Sequence, residues 1–115
     1  MSTNSQLLKG LMDGVILKII NNKETYGYEI YETLQELGFT EFAEGSLYPL
    51  LLRLEKKKLI KGTKRPSPLG PDRKYYSLTS EGLEEMESFK TSWDKINSAV
   101  SKLWMWNTIY KKALV

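Results

Sequence analysis

Gly45-Ser46-Leu47-Tyr48-Pro49-Leu50-Leu51-Leu52-Arg53-Leu54-Glu55-Lys56-Lys57-Lys58 leads, through a short basic stretch, into Arg73-Lys74-Tyr75-Tyr76-Ser77-Leu78-Thr79. This is the pattern of a short helix running into strand–turn–strand, with positive charge at both ends of the turn. Leu47, Leu50, Leu51 and Leu54 follow i, i+3, i+4, i+7 spacing and predict a buried stripe. The opposite side carries Pro49, Leu52 and Lys56, with Tyr48 and Arg53 flanking. Ser46 is the expected N-cap, which puts Pro49 in the first turn, where a missing N–H costs nothing. From Arg53 to Lys74 nine basic residues face two acidic ones, a local charge of +7. The whole chain carries only +3, so the remainder sums to −4. Basicity concentrated in one segment suits a surface that lies on a polyanion.

Working outward, Leu59 to Arg65 and Arg73 to Thr79 read as two strands. Tyr75 and Tyr76 face opposite sides, and Leu78 shares a side with Tyr76. Pro66-Ser67-Pro68-Leu69-Gly70-Pro71-Asp72 between them reads as an exposed loop, because three prolines and a glycine do not continue a ladder. Upstream, Leu7 to Ile20 forms a first helix, apolar around nearly its whole circumference, which must be covered on more than one side. A second helix runs from about Tyr26 to Leu37, with Thr25 as N-cap and Gly38 as stop. Its apolar stripe is Ile30, Leu34 and Leu37. Gly27 lies one turn earlier, where a missing side chain lets a neighbour approach. Tyr26 and Tyr28 read as packed rings with surface hydroxyls. Phe42, in the connector that follows, plugs the core.

Thr79 is expected to cap a last helix, with Glu81, Glu84 and Glu85 favouring its positive end. In that helix Met86, Phe89, Trp93, Ile96, Val100, Leu103, Asn107 and Tyr110 step by 3 and 4 alternately, a heptad seam with one polar position. Such a stripe packs either on the domain's own core or on a partner helix. A helix of about 30 residues spans about 45 Å. That outreaches a domain made from residues 1–79 and favours a second copy of the chain. The expected division is a compact domain over 1–79 and a dimerisation helix over 80–115.

The bulk numbers fit a single domain of 115 residues with 41% apolar content. No apolar run reaches membrane-spanning length, and the polar start lacks a signal-peptide layout. Cysteine and histidine are both absent. Thiol chemistry, disulfides, the usual general base and the commonest transition-metal ligand are thereby removed. No nucleophile motif, calcium loop or glycine-rich phosphate loop is present. The expectation is a cytoplasmic protein that is not an enzyme and uses no cofactor or metal.

Helix–helix–helix–strand–loop–strand is winged-helix order, and the residues resemble the PadR family of bacterial transcriptional regulators. The carriers are Leu8-Lys9-Gly10, then Tyr26-Gly27-Tyr28-Glu29-Ile30, then Gly45-Ser46-Leu47-Tyr48-Pro49 with Arg53-Leu54-Glu55, then Arg73 to Thr79 with Gly82. The chain is similar to the short members of that family, which end in one long helix. The implied fold is mainly α with a small β-hairpin: a winged helix-turn-helix domain plus one long C-terminal helix. The implied function is a homodimer, built chiefly by the first and last helices, that binds a palindromic operator and represses. In short members the position of Trp93 faces its copy across a cavity that takes flat aromatic compounds. Leu52 at an outward position, the proline-rich wing and Trp104-Met105-Trp106 depart from the family pattern.

On this reading helix three enters the major groove of double-stranded DNA. Ser46, Tyr48, Pro49, Arg53 and Lys56 contact phosphates or base edges, and Leu52 touches a thymine methyl. Lys64, Arg65, Arg73 and Lys74 flank the wing and hold phosphates or line the minor groove. Leu11, Val15, Phe89, Trp93, Ile96, Val100 and Leu103 form the dimer interface. A planar hydrophobic effector would lie against Trp93, Phe89 and Asn97. Two other readings stand beside this one. The basic patch of a winged helix can instead meet an acidic protein partner. Trp104, Trp106, Lys111 and Lys112 suit a membrane surface, although dimer contact explains those tryptophans equally well.

Overall fold

A computed structural model describes residues 3–109, with side chains to residue 106. The order is α1 (Thr3–Asn22), β1 (Thr25–Tyr26), α2 (Gly27–Leu37), α3 (Glu44–Lys56), β2 (Ile60–Ser67), β3 (Gly70–Leu78) and α4 (Ser80–Ile109). It is mainly helical, with a small antiparallel sheet in the order β1-β3-β2. Tyr110, Lys111 and Lys112 lie outside the described residues, as does the Asn107 side chain.

The core gathers one face from each element. Met12, Ile16, Leu17 and Ile20 of α1 meet Ile30 and Leu34 of α2 and the full leucine stripe of α3. Ile60 and Tyr76 close it from the sheet, and Phe42 packs against it from the connector. Leu37, expected in the α2 stripe, is 61% exposed because α2 ends there and its last turn passes the edge of the core. Gly38 takes the left-handed conformation at φ 109°. Its N–H donates to the Gln35 carbonyl, and that of Phe39 to the Leu34 carbonyl, the paired closure that glycine permits. At the end of α3 Lys58 takes the same left-handed conformation, at φ 63°.

Two caps differ from the sequence expectation. Thr25 is not the cap of α2; it lies in β1, opposite Tyr76, and its hydroxyl donates to Glu29 at 2.6 Å. Ser46 is not the cap of α3; the helix starts two residues earlier, after Ala43. Pro49 therefore sits in the second turn and deprives the exposed Gly45 carbonyl of its usual donor, which water can replace. Thr79 does cap α4, accepting from the Gly82 N–H at 3.0 Å.

The proline-rich segment also differs. It is not a free loop: the ladder continues through Arg65↔Arg73 to Ser67↔Gly70. Pro66 stands opposite Pro71 and Asp72 in a bulge between those pairs. Prolines are tolerated there because this end of the hairpin has no strand on either side, and a bulge needs no ladder bond.

Candidate nucleic-acid interface

The outward ridge of α3 is Pro49, Leu52 and Lys56, all exposed. Its two flanks are fixed to other elements. On one side Arg53 donates to both carboxylate oxygens of Asp13 on α1, at 2.8 and 2.7 Å. This pairing holds the guanidinium more firmly protonated than usual. On the other side the Tyr48 ring packs where a side chain on Gly27 would sit, 2.7 Å from the expected Cβ position. The Tyr48 hydroxyl donates to Glu44 at 3.1 Å, and burial together with that carboxylate raises its pKa. Glu55 accepts from Lys74 of β3 at 2.6 Å, which raises the lysine pKa. The Lys74 stem reaches it by lying across Gly62, which has no side chain to block the path.

Strand alternation splits the four wing cations. Lys64 and Lys74 are paired across the ladder on the face that carries Tyr76. Arg65 and Arg73 are paired on the opposite face. There Arg65 lies over the Tyr75 ring at 4.9 Å and Arg73 over the Tyr26 ring at 4.4 Å. The two rings meet edge to face at 5.3 Å, and Glu24 pairs with Arg65. Cation–aromatic contacts of this kind hold a guanidinium in place while leaving N–H groups outward. Lys56 and Lys64 make no ion pair among the described residues. The ten residues expected to touch nucleic acid thus fall into an open ridge, pinned flanks and a two-faced wing. Spacing gave no signal for these pairings: Asp13 lies on α1, Glu24 in the connector before β1, and Glu55 on α3 across from Lys74 of β3.

The stripe on α4 is covered at its beginning and bare beyond. Met86 packs against the core, and the Phe89 ring fills the space beside Gly14 on α1 of its own chain. From Trp93 onward the same stripe is open: Trp93 is 37% exposed, Val100 49% and Leu103 62%. Leu11 and Val15 are half-buried on α1. No described helix is long and apolar enough to cross a membrane.

A Bacillus cereus PadR-like transcriptional regulator has a similar structure, with a TM-score of 0.79 and 52% identity over 86% of this chain and 96% of that one. A Streptococcus transcriptional regulator is similar at a TM-score of 0.77 and 49% identity, over 85% of this chain and 96% of that one. A Bacillus subtilis PadR solved in complex with operator DNA shares the fold at a TM-score of 0.62 and 22% identity, over 69% of this chain and 46% of that one. The family model described as the transcriptional regulator PadR-like family matches residues 16–88. With that match extending from the middle of α1, through the ridge and wing, to the start of the α4 stripe, the chain belongs to the PadR-like family of transcriptional regulators.

Proposed function

We propose that this chain is a sequence-specific DNA-binding repressor acting as a homodimer on a palindromic operator, released by a flat aromatic ligand. One observation carries the reading: an exposed helical ridge stands beside a hairpin in the segment of local charge +7. Ser46, Tyr48, Pro49, Leu52, Arg53 and Lys56 form the groove-facing side. Lys64, Arg65, Arg73 and Lys74 hold the flanking backbone. That a Bacillus subtilis PadR of the same fold was solved in complex with operator DNA supports DNA as the partner. Residues 1–79 act as the reading head and 80–115 as the dimerisation helix. The bare stripe of Trp93, Ile96, Val100 and Leu103, with Leu11 and Val15 of α1, meets its copy, and the effector lies against Trp93, Phe89 and Asn97.

The test is a gel shift with the DNA upstream of the chain's own gene, repeated across a salt series. Retardation whose affinity falls linearly with log salt is expected, because phosphate contacts release counterions. Failure to bind that DNA, or any duplex selected from a random pool, would leave an acidic protein as the partner of this face. For the ligand, Trp93 is the reporter after Trp104→Phe and Trp106→Phe replacement. Saturable quenching by planar aromatic compounds, with weakened operator binding, is the expected result.

A further inference from the structure

We infer that α3 reads thymine through carbon: Leu52, backed by Pro49, seats against the C5-methyl groups of thymines in each half-site, and this contact is a principal source of sequence discrimination. The inference rests on the DNA-binding reading above and deepens it. The middle of the α3 ridge offers no hydrogen-bonding side chain. Pro49 and Leu52 are both exposed there, and Leu52 is 51% accessible although it is a large aliphatic residue. Three of the polar side chains beside them are engaged within the protein, while Lys56 at the end of the ridge, unpaired among the described residues, is free to meet a phosphate. Arg53 is held sideways by Asp13 and keeps only part of its donor set, Glu55 is bound to Lys74, and the Tyr48 hydroxyl to Glu44. A helix whose central outward positions are aliphatic cannot distinguish bases there by donor and acceptor pattern. In the major groove the one base edge that presents a methyl group is thymine's. The charge around the ridge selects the occupant: an exposed leucine at the head of a segment of +7 is poorly suited to an apolar protein groove and well suited to a polyanion with methyl groups in its floor.

A duplex is first selected from a random pool with the full-length protein. Each thymine in it is then replaced singly by deoxyuridine, which removes the methyl group and leaves the base pairing intact. At the contacted thymines a loss of about fourfold in affinity is expected, the worth of one buried methyl-sized group. Leu52→Ala should abolish that sensitivity, so that it binds thymine and uracil duplexes equally. Leu52 is exposed, so the variant should melt with the parent protein, which circular dichroism checks. Tight duplex binding with no sensitivity to uracil at any position would overturn the inference and leave DNA binding standing. Unchanged sensitivity in Leu52→Ala would also overturn it, by assigning the methyl contact to another residue. Failure to bind any duplex would overturn both readings together.

Discussion

Asp13 and Arg53, 40 positions apart, join the first helix to the third by a bidentate carboxylate–guanidinium pair. The pair uses two of the five N–H donors of Arg53 and leaves three for other partners on a half-exposed side chain. It also means that part of the basic charge on α3 is already balanced before any polyanion arrives.

Opposite effects are therefore expected at the two ends of this pair. Arg53→Ala should weaken operator binding and lower the salt slope by about 1. Asp13→Asn should strengthen binding at low salt and steepen the slope, because it removes a neighbouring anion. Either change should cost at most about 1 kcal/mol of stability, since both side chains are partly exposed. Equal weakening in both variants, with an unchanged slope, would make Arg53 a positioning residue rather than a phosphate contact.

Gly82 and Gly10 should respond in contrasting ways to alanine. A methyl group on Gly82 would collide with the Leu59 backbone carbonyl, which cannot swing aside. Gly82→Ala should destabilise by about 1–3 kcal/mol, as overpacked contacts do. Gly10 lies within α1 with open space around it, so Gly10→Ala should stabilise by about 0.5–1 kcal/mol. Urea unfolding at fixed protein concentration reads both, because oligomerisation would shift the midpoints.

Acid stability has a traceable contributor at Glu29. The Thr25 hydroxyl holds its carboxyl below the ordinary range, against the opposing effect of burial and with help from Lys23. A carboxyl depressed in the folded state adds stability above its unfolded pKa and loses it as pH falls through the folded value. Thr25→Val should return the Glu29 titration toward the ordinary value, measured by carboxyl NMR. It should also flatten the loss of stability on the acid side. At neutral pH the variant should be less stable by about 1 kcal/mol. A Glu29 titration that Thr25→Val leaves unchanged would show that the charges of Lys23 and Arg73 set its pKa.

Val100 tests the bare stripe of α4. It is 49% exposed and belongs to no part of the buried core, so Val100→Asp should leave the reading head folded. Placed in a helix seam, the carboxylate should disperse the dimer. Sedimentation velocity of the two proteins at matched concentration reads the outcome. A dimer that persists in Val100→Asp would move the interface elsewhere.

The regular parts of this fold are legible in the chain because they repeat. The leucines of α3 and the spaced apolar residues of α4 each sample a long periodic face, and Thr79 and Gly38 stand at helix ends that their chemistry favours. The parts that are not legible have no repeat to read. β1 is two residues long, too short to show an alternation, and exists because β3 offers it an edge. The wing tip is rich in prolines yet extended, since its bulge and open sides make few demands on N–H groups. Within the site, the outward ridge follows from helical geometry alone. The clamp at Asp13, the Tyr26–Arg73 contact and the Phe89 seat beside Gly14 depend on pairs brought together by tertiary packing.

The junction between wing and last helix contains a single residue, Thr79, and that residue is tied to the turn after α3. Its hydroxyl donates to the Lys58 carbonyl at 2.6 Å, and its N–H to the Leu59 carbonyl at 3.1 Å. With Gly82 pressed on Leu59 as well, no slack separates α4 from the α3–β2 corner. In the proposed homodimer each molecule would therefore act as one leg of a pair of calipers. From Thr79 to Val100 the arm is about 30 Å long, so a tilt of about 5° at Val100 carries the corner below α3 by about 2.6 Å. An operator read by two such legs would tolerate base changes at uncontacted positions far better than the insertion of a single base pair between its halves.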